Sequence, residues 1–233
     1  MNFSNIPEKQ IINFLQESSG FGCVLLRNFD FISNLKDGGD IDLAFNNIKL
    51  LDTLLVRHLG PYIKIVKRSY VRKYIYIWGS IDVVSEIQWR GLNLVSYDEI
   101  QANSYIHDQI RVADNVTVFI AAVIYPLLAH SSYKAKYDNM ILEFDNTTEK
   151  LVVKKCIDIF DLKINPNVSL RDFLSEFNPN SCRFALIIKK FRQDPMISLK
   201  STIKFYAFEI FLRTKFFARN IFFKNVDKNN SKD

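Results

Sequence analysis

The chain has 233 residues, of which 48% are hydrophobic and 24% charged, so it can bury a sizeable core and is neither disordered nor fibrous. Seven glycines and six prolines exclude collagen-like and proline-rich proteins. The formal net charge is +6, and most of this excess lies in one segment near the C-terminus.

The cysteine pattern indicates the redox environment. Cys23, Cys156 and Cys182 are far apart, odd in number and without metal-ligand spacing, which predicts reduced thiols in a cytoplasmic protein. The N-terminal residues show no basic region followed by an apolar stretch, so we expect no secretory signal. The longest apolar run, residues 116–129, is too short for the roughly 20 residues of a membrane span and contains Pro126. It predicts a buried helix that is kinked or ends near the proline.

The first part of the chain mixes helical and strand patterns. Residues 7–18 and 47–59 have the apolar spacing of amphipathic helices. Alternating or β-branched patterns predict strands, with a hairpin at Gly79. The predicted strands cover residues 23–26, 41–45, 63–66, 70–78 and 81–87.

Helical patterns dominate after about residue 98. The predicted helices cover residues 116–129, 148–160, 169–177, 183–192 and 198–223. We therefore expect an α+β fold, in which an α/β N-terminal half with a small mixed sheet flanked by helices precedes a helical C-terminal half. The expected domains are residues 1–97 and 98–224, and residues 225–233 are expected to form a disordered tail.

The last predicted helix is both basic and aromatic. Residues 198–224 carry six basic residues against Glu209 alone, together with eight aromatic residues. Such a helix can close the core or an oligomer contact with a solvated basic edge, or it can lie on an anionic membrane surface. Because the remaining chain is close to neutral, a general nucleic-acid surface is poorly supported.

Residues 36–43, KDGGDIDL, are the most informative stretch. If Ile41 lies in a strand, Asp40 and Asp42 share one face, where their repulsion is costly unless a cation lies between them. Carboxylate oxygens suit Mg²⁺ or Mn²⁺. Gly38 and Gly39 would let a phosphate or a sugar approach the backbone closely. The alternative is a glycine turn followed by two solvated aspartates.

A third carboxylate, Asp82, lies within an otherwise apolar strand pattern. A lone aspartate is expensive to bury there unless it is paired or close to a metal. Carboxylates on two neighbouring strands suit a two-metal phosphoryl or nucleotidyl transfer. Glu86 has the same strand parity and is a weaker candidate, and the alternative for Asp82 is a turn aspartate after Gly79.

With these residues, positions 20–95 resemble the DNA polymerase β-like nucleotidyltransferase superfamily. Its pattern is a Gly-Ser turn, an Asp-x-Asp at the start of a strand and a third Asp on an adjacent strand. Gly39-Asp40-Ile41-Asp42-Leu43 matches the second part and Asp82 the third. No Gly-Ser precedes Asp40 at the expected distance, where Leu26-Arg27-Asn28 stands instead. Together with Trp89-Arg90-Gly91, this resembles a divergent branch often met in bacterial surface-polysaccharide gene clusters.

The resemblance implies a cytoplasmic, Mg²⁺- or Mn²⁺-dependent enzyme that moves a nucleoside monophosphate from an NTP to a hydroxyl or phosphate acceptor, such as a surface-polysaccharide precursor. It implies that Asp40, Asp42 and Asp82 bind the metal and carry the catalysis. The nucleotide-binding candidates are Arg27, Asn28, Gly38, Gly39 and Arg90, together with Lys134, Lys136 and Tyr137 from a stretch similar to one in the same branch. Surface or ion-pair roles for Arg27 and Arg90, and a solvated basic helix end at residues 134–137, remain the alternatives.

Two other classes stay open. A metal-dependent glycosyltransferase also uses Asp-x-Asp, but normally after a complete nucleotide-binding βαβ region, for which the 39 residues before Asp40 are too few. A non-catalytic module with the same fold would explain the missing Gly-Ser, but not the retention of three carboxylates. A toxin-like enzyme that nucleotidylates RNA or a protein would share the site and is not separated from the first reading.

Overall fold

The computed structural model of the chain describes residues 8–26, 39–67, 71–133 and 135–193. The predicted helix at residues 198–223, with the membrane contact considered for it, lies outside the described residues, as does the tail at 225–233. The fold is mixed α+β, with the helices concentrated later in the chain, as expected. Within the described part, no helix is both long enough and apolar enough to cross a bilayer.

The strands form a seven-stranded mixed sheet and a separate hairpin. In chain order they are β1 (Val24–Leu25), β2 (Gly39–Ala44), β3 (Lys64–Lys67), β4 (Val71–Ile75), β5 (Gly79–Val84), β6 (Ile87–Trp89), β7 (Leu92–Val95), β8 (Tyr105–His107) and β9 (Ile110–Val112). The large sheet has the order β3-β4-β5-β2-β1-β9-β8, and β6 pairs with β7. Strand β2 runs parallel to β5 and antiparallel to β1, while β1 runs parallel to β9.

The helices flank the sheets and then follow one another to the end of the described chain. They are α1 (Glu8–Gly20), α2 (Ile48–Leu59), α3 (Tyr97–Asn103), α4 (Asn115–Phe119), α5 (Tyr125–His130), α6 (Asp138–Leu142), α7 (Asn146–Phe160), α8 (Leu170–Glu176) and α9 (Pro179–Gln193). The Asn47 side chain caps the start of α2 by accepting a hydrogen bond from the Leu50 N–H, and Gly60, whose φ of 74° suits glycine, follows its last residue as the C-cap.

One face of the large sheet packs against α1 and α2. The alternation of each strand sends every second side chain to this layer, where apolar area is removed from water. Its buried residues are Ile11, Phe14 and Leu15 of α1, Leu51, Leu54 and Leu55 of α2, and Leu25, Ile41, Leu43, Tyr74, Ile81 and Val83 of the sheet. The intervening residues of β2, β4 and β5 therefore face the other side.

Strands β8 and β9 carry the large sheet beyond residue 97, into the half of the chain that is expected to be helical and in which no strand is predicted. They form a hairpin whose turn residues, Asp108 and Gln109, both have positive φ. All three residues of β8 are exposed, so this strand lacks the apolar alternation by which strands are recognised, and β9 has only three residues. The Ala113 N–H donates to the Leu25 carbonyl at 2.9 Å and continues the pairing of β9 with β1.

The apolar run around Pro126 forms a buried helix, as predicted, but with a distinct internal geometry. A π-helical turn, Ile120–Ile124, joins α4 to α5, and the chain remains helical through Pro126. Proline has no N–H and so cannot donate the hydrogen bond that an α-helix requires at its position. The π-helical turn before Pro126 has a different hydrogen-bond spacing, which changes the carbonyl groups that are left without a donor. The proline thus modifies the helix without ending it.

All three cysteines are free and buried. Burial raises the pKa of the Cys23 and Cys182 thiols to about 12, so neither is a reactive thiolate at neutral pH. The chain divides into two compact units, the first ending at Arg183 and the second beginning at Phe184. Of the second unit, the structure describes residues 184–193. The proposed division at residue 97 stays a prediction, although the large sheet crosses it.

Candidate active site

The three sequence-predicted aspartates lie on one face of adjacent strands. Asp42 of β2 is the register partner of Asp82 of β5, and Asp40 is the partner of Ser80. Because β2 and β5 are parallel and in register, all four side chains point away from α1 and α2. The Ser80 hydroxyl donates a hydrogen bond to Asp40 Oδ1. Gly39 pairs with Gly79 at the start of both strands, directly ahead of the carboxylates.

A lysine that the sequence analysis did not identify lies between two of these carboxylates. Lys73 of β4 is the register partner of Asp82 and projects from the same face. Its Nζ atom lies 3.0 Å from Asp40 Oδ1 and 3.3 Å from Asp82 Oδ1. The Lys73 side chain is 34% exposed, against 51% for Asp40 and 24% for Asp82. The ammonium therefore bridges the outer and the more buried carboxylate.

The electrostatics of this group reflect partial burial and crowding of like charge. Burial raises the pKa of Asp82, and the Asp42 and Asp40 carboxylates act in the same direction, while Lys73 offsets only part of the effect. Burial alone would lower the pKa of Lys73, but Asp40 and Asp82 together raise it. Asp82 Oδ1 is buried, and apart from its ion-pair contact with Lys73 it accepts no hydrogen bond from the described residues.

Asp42 and Asp82 line a cleft of about 200 Å³. One wall comes from the helical part of the chain, through Ala121 of the π-helical turn and Tyr125 of α5. Two polar residues around the start of β6, Glu86 and Gln88, also line the cleft. The remaining lining residues are apolar: Leu26, Val71, Val84 and Ile87. The cleft is thus an apolar-walled space with carboxylates on one side, a common composition for a binding site.

The donor chemistry of the site fits a hard divalent cation. Asp40, Asp42 and Asp82 offer only carboxylate oxygens, the ligands that Mg²⁺ and Mn²⁺ prefer. As they stand, however, the described residues contain no group of three or more His, Cys, Asp or Glu side chains close enough to hold a metal. The Lys73 ammonium takes the space between two of the three carboxylates. The carboxylate oxygens are therefore suitable ligands for Mg²⁺ or Mn²⁺, but the distances between them, as observed, accommodate the Lys73 ammonium.

Other predicted site residues are not brought to the cleft. Arg90 is in the two-residue turn between β6 and β7, where Arg90 and Gly91 both have positive φ, as a type I′ hairpin requires. Its Cζ atom lies 5.3 Å from the centre of the Trp89 ring, within cation–π distance. Tyr137 is 8% exposed in a 3₁₀ turn, Ala135–Tyr137, and does not line the cleft. Such burial leaves little ring surface for stacking on a base.

The remaining nucleotide-binding candidates are not among the side chains that the structure describes. Arg27, Asn28, Gly38 and Lys134 lie outside the described residues, and of Lys136 only the backbone, in the 3₁₀ turn, is described.

The sequence analysis did not identify four residues of the site: Lys73, Ser80, Gln88 and Tyr125. The available signal was the parity of β4, since Lys73 precedes Tyr74, which is buried in the core layer. That parity gives the face on which Lys73 lies, but not its partner. The partner depends on the register between β4 and β5, which the turn at residues 76–79 sets through the Tyr76 N–H bond to the Gly79 carbonyl.

Comparison with known proteins adds no relative: no protein-family model, no curated protein and no solved structure matches the chain.

Proposed function

We propose that this chain is a Mg²⁺- or Mn²⁺-dependent nucleotidyltransferase, which moves a nucleoside monophosphate from an NTP to an acceptor hydroxyl and releases pyrophosphate. The observation that carries the proposal is the in-register pairing of Asp42 with Asp82, with Asp40 on the same face and a cleft beside them. Three carboxylates collected on one sheet face are costly without a cation, and this cost favours a metal-dependent role.

Each carboxylate has a role that follows from its position. Asp40 and Asp42, on one strand, would hold the metal ions through their side-chain oxygens. The bound ions would neutralise triphosphate charge and make the acceptor hydroxyl more acidic. Asp82, on the neighbouring strand, would complete the metal site and help to deprotonate the acceptor hydroxyl, since burial raises its pKa and its Oδ1 faces no described hydrogen-bond donor other than Lys73.

The cleft suits an acceptor rich in hydroxyl groups. The Glu86 carboxylate and the Gln88 amide can bind hydroxyls, and the apolar wall can pack against the carbon skeleton of a sugar or polyol. A sugar or polyol phosphate for a surface polymer agrees with the resemblance to the polysaccharide-cluster branch. Contacts to the triphosphate from Arg27, Asn28, Gly38, Gly39, Lys134 and Lys136, and a cytoplasmic location, remain part of the proposal, whereas Arg90 and Tyr137 do not line the cleft.

A non-catalytic module is the second candidate, and one observation favours it. Lys73 forms ion pairs with Asp40 and Asp82, so these carboxylates are partly neutralised without a metal. A metal-dependent glycosyltransferase has less support. Strand β2, which carries the Asp pair, follows β1 in antiparallel pairing, whereas consecutive strands of a nucleotide-binding βαβ unit are parallel.

The test is pyrophosphate release from a panel of NTPs with Mg²⁺ or Mn²⁺ and candidate polyol acceptors. Asp42→Asn removes a charged ligand at almost constant shape, so we expect release to fall at least about 100-fold while the circular dichroism spectrum is unchanged. Asp98→Asn, an exposed aspartate in α3, is the matched control and keeps full activity. Undiminished release by the Asp42 variant would contradict the catalytic assignment. Nucleotide binding without release would favour the non-catalytic module, and release of a nucleoside diphosphate from a nucleotide-sugar, without pyrophosphate from any NTP, would favour the glycosyltransferase.

A further inference from the structure

The Lys73 ammonium has the position and the charge of a cation bound between carboxylates. Its Nζ contacts Asp40 at 3.0 Å and Asp82 at 3.3 Å, while Ser80 donates to the same Asp40 oxygen from the neighbouring strand. Tyr74 is buried on the opposite face, which fixes the direction in which Lys73 leaves β4. The bridge is therefore built by the register of three adjacent strands, β4, β5 and β2.

We propose that Lys73 takes the place of a divalent cation among Asp40, Asp42 and Asp82, and that a metal ion must displace its ammonium in order to bind. This inference rests on the proposed function, because it presupposes that the carboxylates bind a metal. Lys73 is then a positioning residue that keeps the ligands together in the metal-free protein.

Charge and distance argue for exchange of the two cations. Lys73 cancels one of the three negative charges, so the site keeps enough negative charge to attract a divalent ion. A metal lies about 2.0–2.1 Å from carboxylate oxygens, closer than the ammonium, and two cations cannot share the same small space without repulsion.

Displacement of the lysine is also energetically feasible. Lys73 and Asp40 are partly exposed, and ion pairs at such positions are weak. The long side chain can turn to solvent without movement of β4. The strand geometry can stay the same while the cation among the carboxylates changes.

The experiment is Mn²⁺ binding to the full chain without nucleotide, followed by the electron paramagnetic resonance signal of free Mn²⁺. Lys73→Met removes the competing ammonium, so we expect it to bind Mn²⁺ about three- to tenfold more tightly than the unaltered chain. Lys73→Arg keeps a cation at this position and should bind no more tightly than the unaltered chain. Lys64→Met, on the exposed end of β3, controls for the loss of a positive charge elsewhere and should leave the affinity unchanged.

Thermal unfolding supplies a second readout. In EDTA, Lys73→Met should unfold at a lower temperature than the unaltered chain, because its carboxylates repel one another, and saturating Mn²⁺ should remove the difference. If Lys73→Met cannot be purified in a folded state, Lys73→Gln takes its place in both measurements. Equal or weaker Mn²⁺ binding by the folded variant would overturn the inference while leaving the metal site in place. No Mn²⁺ binding by any variant, including the unaltered chain, would overturn the proposed function itself.

Discussion

Glu17 joins the first two helices through two basic side chains of α2. Its carboxylate accepts hydrogen bonds from Arg57 and, at 2.6 Å, from the His58 ring. The His58 hydrogen bond, with the charge of Arg57, lowers the pKa of Glu17 below its ordinary value of 4.5. A carboxylate with a lowered pKa in the folded state stabilises the protein when ionised. This contribution is complete above pH 4.5 and is lost as the pH falls through the lowered value.

We therefore predict that Glu17→Gln lowers the stability of the chain and also weakens its acid sensitivity. The difference in urea midpoint between the two proteins should be constant near pH 5.5 and should shrink as the pH falls from about 4.5 toward 3. Urea unfolding at several pH values between 3 and 5.5 measures it. A difference that does not change over this range would contradict the role assigned to Glu17.

The side chains of strand β2 alternate between the core and the candidate site. Ile41 and Leu43 are buried in the core layer, whereas Asp40 and Asp42 lie on the opposite face. These four consecutive residues therefore contribute to the core and to the candidate site, and adjacent substitutions in them should have different consequences. The alternation of apolar and acidic residues could be predicted from the sequence because strands have a fixed period of two.

At Leu43 the alternation predicts a loss of stability. Leu43→Ala leaves a cavity in the layer between the sheet and α2, and should lower the free energy of unfolding by about 2–5 kcal/mol. Asp42→Asn, one residue earlier, should change it by less than about 1 kcal/mol, because the substitution alters charge and leaves the core untouched. Urea denaturation of both variants tests the contrast. Similar losses would mean that both faces of β2 are structural.

At the scale of the whole molecule, the large sheet is assembled from two distant parts of the chain. Strand β9 pairs with β1 and contributes Ile110 and Val112 to the core layer. The Arg111 N–H also donates to the Ser19 hydroxyl of α1 at 2.8 Å. The N-terminal half thus depends on a hairpin that follows residue 97.

We predict that a fragment of residues 1–97 does not fold independently. Without β9, the outer edge of β1 loses its pairing and the core loses two buried side chains. Thermal melts by circular dichroism should show no cooperative transition for the fragment, whereas the full chain melts cooperatively. A cooperative melt of the fragment would instead establish a domain boundary at residue 97.

The sequence by itself determined the elements with strong local signals. The amphipathic spacing of α1 and α2, the alternation in β2 and the apolar length of the helix around Pro126 all follow from side-chain periodicity, which depends on neighbouring residues only. The α+β class follows from the order of these elements. The candidate carboxylates Asp40, Asp42 and Asp82 could be chosen in the same way, because acidic residues in apolar strands are conspicuous.

Only the tertiary structure decided which residues meet. The pairing of Asp42 with Asp82 and of Lys73 with Asp82 depends on strand register, and strand register is fixed by turns and by the core on the far side of the sheet. Strand β9 reaches β1 across more than 80 positions of the sequence, and β8 lacks apolar alternation because its residues are exposed. Contacts between distant segments produce no periodic pattern in the sequence. The sequence alone therefore identifies the three carboxylates, but not the lysine that lies between two of them.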